Sequence, residues 1–135
     1  MSADDFDAMV LIADAAQVVA DRLYILGGGR SVSEPQTPFA LAIRIGMTGE
    51  VAAGKHSWTL ELSPMSKMDG QFDPSVGGFD GEFEVLAADV SVGMPTHVAF
   101  AFNSGPLNAT PGRYTWRLGI DGHTDPRWSA TFLQL

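Results

Sequence analysis

A chain of 135 residues with 45% hydrophobic and 18% charged residues can bury a core of its own, which excludes a disordered polymer. It has no cysteine and a net charge of −8, which excludes a disulfide framework. Its eight basic residues are scattered from Arg22 to Arg127 with no two adjacent, unlike the clustered cations that nucleic acid or an anionic membrane requires.

The start, Met1-Ser2-Ala3-Asp4-Asp5-Phe6-Asp7, lacks the basic residues of a signal peptide. The apolar run 9–13 is far short of the roughly 20 residues that span a bilayer. The expectation is one soluble, cytoplasmic domain over residues 1–135, with no cofactor.

The N-terminal segment has two readings. Ser2 can cap a helix, with Asp5 at its third position and Phe6, Met9, Val10, Ala13 and Ala16 at helical spacing. The same residues can form two strands, about 8–19 and 23–32, joined near Asp21. Gly27-Gly28-Gly29 before Arg30 lacks the strand–loop–helix setting of a phosphate site, with Pro35 and Pro38 following. It reads as a strand end or bulge.

Beyond residue 35 the pattern has period two. Phe39, Leu41, Ile43 and Ile45 alternate with small or polar residues. Trp58, Leu60 and Leu62 do the same after turns marked by Gly46, Gly49 and Gly54. Residues 64–80 form a long connection containing Met65, Met68 and Phe72. Phe79, Gly81, Phe83 and Val85 then alternate with Asp80, Glu82 and Glu84, less cleanly than the other runs.

Val98, Phe100 and Phe102 mark another strand, and residues 106–112 a turn with two prolines and a closing glycine. Tyr114, Trp116, Leu118 and Ile120 lead to Asp121-Gly122, a hairpin signal because both residues tolerate positive φ. The partner run is Trp128, Ala130 and Phe132, giving a C-terminal hairpin over about 112–135. No helix-length apolar stripe follows residue 35. The expected fold is all-β: a single antiparallel, immunoglobulin-like β-sandwich of about seven or eight strands.

Three stretches carry a resemblance: Leu23-Tyr24-Ile25-Leu26-Gly27-Gly28-Gly29, Pro38-Phe39-Ala40-Leu41-Ala42-Ile43-Arg44-Ile45, and Pro111-Gly112-Arg113-Tyr114-Thr115-Trp116-Arg117-Leu118-Gly119-Ile120-Asp121-Gly122. Together they resemble a family of small bacterial β-sandwich proteins, common in actinobacteria and known only as a domain of unknown function. The similarity covers most of the chain in order. It implies the N-terminal hairpin rather than the helix, and it implies no activity. The Pro-Gly-x-Tyr segment also resembles the approach to a late strand of immunoglobulin-like domains. That likeness gives Tyr114 the role of a tyrosine corner, its hydroxyl bonding back to nearby backbone, with Gly112 and Gly122 as structural glycines.

Sites of chemistry are sparse. His56, His97 and His123 lack close metal-ligand spacing and read as solvated surface residues. Asp69, Asp73, Asp80 and Glu82 lack the calcium-loop pattern and read as a solvated loop. Trp58 and Trp116 fall on the apolar faces of their strands, whereas Trp128, beside Arg127 and a proline, is expected to be exposed. Trp128, Met65, Met68 and Phe72 are therefore the expected ligand or partner contacts. The expected function is a non-catalytic binding or assembly module, with a protein partner or a second copy bound through sheet edges. A carbohydrate or small-ligand domain using exposed aromatics is the alternative, and a hydrolase or metal enzyme using the histidines the second alternative.

Overall fold

In the computed structural model, which describes residues 3–65 and 72–135, every alternating run becomes a strand. The strands are β1 (Phe6–Ala13), β2 (Ala15–Val19), β3 (Arg22–Leu26), β4 (Val32–Ser33), β5 (Pro38–Met47), β6 (Gly54–Pro64), β7 (Gly77–Val85), β8 (Thr96–Pro106), β9 (Gly112–Ile120) and β10 (His123–Gln134). The helical content among the described residues is a four-residue α1 (Gly49–Ala52) and two 3-10 turns, Ala3–Asp5 and Ala87–Asp89. Ten strands replace the expected seven or eight because the N-terminal strand breaks at Asp14 and β4 is a two-residue addition.

Two sheets face each other, one of order β1-β5-β8 and one of order β4-β10-β9-β6-β7. Pairing is antiparallel except where β4 joins β10. Large side chains from both sheets meet between them: Phe39, Leu41, Ile43, Ile45 and Met47 from β5 pack with Trp58, Leu60, Trp116, Leu118 and Ile120. Burying an aliphatic or aromatic side chain of this size is worth roughly 1.5–3 kcal/mol each. The sheets approach at the β1/β10 side, where Phe6 meets the Trp128 indole edge-on at 6.3 Å.

The N-terminal segment is extended, as the resemblance implies and the helical spacing does not. Phe6, Val10 and Ile12 enter the main core, while Leu11 and Ala13 pack into a second, outer cluster. Apolar neighbours on both faces erase the period-two signal, which is why this stretch also reads as a helix. Beyond Asp14 the chain leaves the sheet and folds β2 and β3 into a hairpin of their own. Ala20 and Asp21 turn it with φ of 49° and 61°.

The hairpin covers the outer face of the β1-β5-β8 sheet. Ala13, Ala16, Ala40 and Ala42 form the seam, with Leu23, Ile25 and Ala101 around it. Small residues are needed there because two backbones approach closely. Asn103 on β8 clamps the hairpin: its Nδ2 donates to the Ala16 carbonyl at 2.7 Å, and its Oδ1 accepts from the Ala16 N–H at 3.1 Å. A side chain thus supplies the pairing that a neighbouring strand would give.

The triple glycine closes this unit. Gly27 and Gly29 have φ of 65° and 85°, and the Gly29 and Arg30 amides both donate to the Ile12 carbonyl, at 2.8 and 2.9 Å. Arg30 reaches the Pro38 carbonyl at 2.9 Å.

At the other end, Asp121 and Gly122, with φ of 50° and 79°, form the two-residue turn between β9 and β10. Gly112 opens β9 opposite Gln134. The Tyr114 hydroxyl donates to the Thr110 carbonyl at 2.7 Å, the backward bond of a tyrosine corner.

Replacing Asn103 with alanine leaves the Ala16 N–H and C=O without their partner. Unfolding free energy falls by about 1–2 kcal/mol, and native-state hydrogen exchange shows the β2 and β3 amides opening before the core. Unchanged exchange in those strands would refute the clamp.

Candidate functional site

On the side of the sandwich opposite β1 and β10, no strand among the described residues joins the two sheets. This side is bounded by β7 and β8, the terminal strands of their sheets. On β7 the inward residues are Phe79, Gly81 and Phe83, and the outward ones are Asp80, Glu82 and Glu84. Phe79 stacks on Phe102 at 6.0 Å and on Trp116 at 5.9 Å. Phe83 meets Phe100 at 5.6 Å. Phe100 and Phe102 in turn flank the buried Trp58, at 5.8 and 5.4 Å.

Gly81 is required by this packing. A Cβ there would lie 2.7 Å from the Trp58 ring, so the indole occupies the space a side chain would fill. The phenylalanines are only partly covered: Phe83, Phe100 and Phe102 are half-buried and Phe79 is 45% exposed. These half-wet aromatics form a row beside a strand whose outer edge has no strand partner among the described residues.

The outward face of β7 is acidic. Asp80 and Glu82 stand opposite Thr59 and Ser57 of β6, and Glu84 stands opposite Lys55. All three carboxylates are exposed, and among the described residues none has an ion-pair partner within 4.0 Å.

A second feature lies on the outer face of the five-stranded sheet. Thr59, Glu61, Phe72, Arg117, Asp125 and Ser129 line a depression of about 230 Å³. The Arg117 guanidinium lies 4.4 Å from the Phe72 ring centroid, within cation–π range. It also reaches Ser63 Oγ at 3.2 Å and Glu61 at 3.6 Å. Its Nε is buried without a hydrogen-bond partner among the described residues.

The expected contact residues do not form one site. Met65 and Phe72 face each other across an isolated bridge, and Phe72 is exposed over Arg117. Met65 also shares an end groove of about 550 Å³ with Gly112 and Tyr114. Met68 and Asp69 lie outside the described residues.

Trp128 is a correction: it is 1% exposed, in the core. A register shift between Thr124 and Ser129 places a bulge at Asp125-Pro126-Arg127 within β10 ahead of it, and the indole points inward with Phe132. The platform on which a sugar reading rested is thus not on the surface. Trp58 and Trp116 are buried, as their strand faces predict.

His56 is a second correction. It is 3% exposed rather than solvated, while His97 is exposed and His123 intermediate. The His56 ring stacks on Phe83 at 5.1 Å. Its Nδ1 contacts Asp121 Oδ2 at 2.6 Å and its Nε2 contacts the Ala52 carbonyl at 2.8 Å. Both ring nitrogens are therefore engaged by neighbouring oxygens within the fold. Asp121 also accepts from the Ser57 N–H at 2.8 Å. This trio ties α1, β6 and the β9–β10 turn together. Among the described residues, no cluster of three or more His, Asp or Glu is arranged to hold a metal.

These features define a class: an all-β sandwich of two facing sheets with an outer hairpin layer and one open, aromatic side. The chain belongs to the family of unknown function DUF6941, whose profile matches residues 8–131, in keeping with the resemblance carried by residues 23–29, 38–45 and 111–122. No curated protein matches it. No helix among the described residues is long and apolar enough to cross a membrane.

Two outcomes follow. Asp121→Asn keeps a residue that tolerates positive φ but removes the charge facing His56. Urea denaturation should show a loss of about 2–3 kcal/mol, and an unchanged midpoint would mean the pair adds nothing. Asp125 behaves differently: hydrogen bonds from the Arg127 side chain and backbone hold its carboxyl down to about 2 from 3.8. Its folded value lies below its unfolded one, so the stabilisation is present above pH 3.8 and is lost as pH falls towards 2. A carboxyl-carbon NMR titration of Asp125 should show a midpoint near 2, and one near 3.8 would break the assignment.

Proposed function

We propose that this protein is a non-catalytic binding module that holds a protein partner along the open side bounded by β7 and β8. The observation that carries the reading is β7 itself. It is a nine-residue strand with one edge paired to β6 and no strand on the other among the described residues. A free edge offers a row of backbone donors and acceptors to an extended chain. Here that row runs beside Phe79, Phe83, Phe100 and Phe102, whose exposed surface a partner would remove from water.

Two observations favour binding over catalysis. The buried imidazole is committed on both nitrogens to acceptors. The exposed Arg127 of β10 is committed to Asp125 at 2.9 Å. A chain of this length without cysteine suits a reducing compartment, and we place the activity in the cytoplasm.

The test is site-specific photo-crosslinking in the native cell. A crosslinker replacing Glu82 on β7 captures a partner whose contact peptide maps by mass spectrometry. The same group replacing Gln17, on the exposed hairpin layer, captures none. Equal yields at the two positions, or capture at Gln17 alone, would sink the reading.

A further inference from the structure

We infer that the occupant of the β7 edge is an extended segment in which basic and apolar residues alternate. The inference rests on the binding reading above and specifies its partner. The register of β7 supplies the argument. A strand added to a sheet places its residues directly opposite those of the edge strand, with Cβ atoms about 4.5–5.5 Å apart, and alternate residues on opposite faces.

Residues opposite Phe79, Gly81 and Phe83 therefore point between the sheets. There they meet the exposed parts of Phe79 and of the half-buried Phe83, Phe100 and Phe102. Residues opposite Asp80, Glu82 and Glu84 point outward, beside three exposed carboxylates. β6 offers these only one cation, Lys55 opposite Glu84, and faces Asp80 and Glu82 with Thr59 and Ser57. The partner's outward residues complete that row best if they are lysine or arginine.

Charge also decides against the simplest rival, a second copy. Two β7 strands side by side would bring acidic rows together, and each chain carries a net charge of −8. Like charges directly opposite one another destabilise a strand pair. The carboxylates thus act as a filter, refusing self-pairing and acidic chains while leaving the edge open to a basic one.

Four labelled nine-residue peptides test this by fluorescence anisotropy with the full chain: alternating valine–lysine, alternating valine–threonine, alternating valine–glutamate, and a block peptide with the valine–lysine composition unmixed. The valine–lysine repeat should bind about tenfold tighter than valine–threonine at low salt, equivalent to about 1.4 kcal/mol, and the gap should narrow as salt rises. Valine–glutamate and the block peptide should bind weakly. Asp80→Lys/Glu82→Lys/Glu84→Lys should invert the order, favouring valine–glutamate, with circular dichroism checking that it folds.

Equal binding of the lysine and threonine repeats, unmoved by the reversal, overturns the charge inference while leaving β7 as an edge that binds. Equal binding of the block peptide overturns the register. No binding by any peptide overturns both this inference and the reading beneath it, and a concentration-dependent dimer of the native chain by sedimentation that Glu82→Pro abolishes overturns the charge filter.

Discussion

The structure depends on one strand being covered on both faces. β5 runs through the middle of its sheet with bulky residues inward and Ala40 and Ala42 outward, all nearly inaccessible. Apolar side chains on both faces over residues 39–43 would lose stability if either were left to water. The inward face demands the five-stranded sheet, and the outward face demands a thin cover that small side chains can accept. The β2–β3 hairpin is that cover, and Asn103 satisfies the backbone it brings. Layer order, the break at Asp14 and the closing glycines all follow from this requirement.

The fold was legible where a strand has one apolar and one polar face. β5 through β10 were readable from parity, and the Asp121-Gly122 turn from its tolerance of positive φ. The N-terminal strands were not, because the partly buried Leu11 and buried Ala13 lie on the face opposite Val10 and Ile12. When both faces are apolar, period two and period 3.6 look alike.

The site was only partly legible. His56 reads as surface from its place near a strand start, yet it has the parity of Trp58, Leu60 and Leu62 and points inward with them. Trp128 reads as exposed from its neighbours, yet it has the parity of Ala130 and Phe132. In both cases the alternation already held the answer, and local composition misled. What the sequence could not contain is the convergence of His56 with Asp121 and Ala52, or the alignment of Phe79 and Phe83 with Phe100 and Phe102. Those meetings depend on which strands end each sheet.

The two-residue strand β4 has a consequence for the order of assembly. Val32 and Ser33 pair with Leu133 and Gln134, residues at opposite ends of the sequence. Contacts between such distant positions are slow to form, since a long loop must close before they add anything. During synthesis the early hairpin and the β1–β5 pair can associate while later strands are still being made. The five-stranded sheet cannot be completed until β10 has emerged, and until then the greasy face of β5 waits for its partner. Until then the chain's uncovered apolar face and free strand edges are open to mispairing.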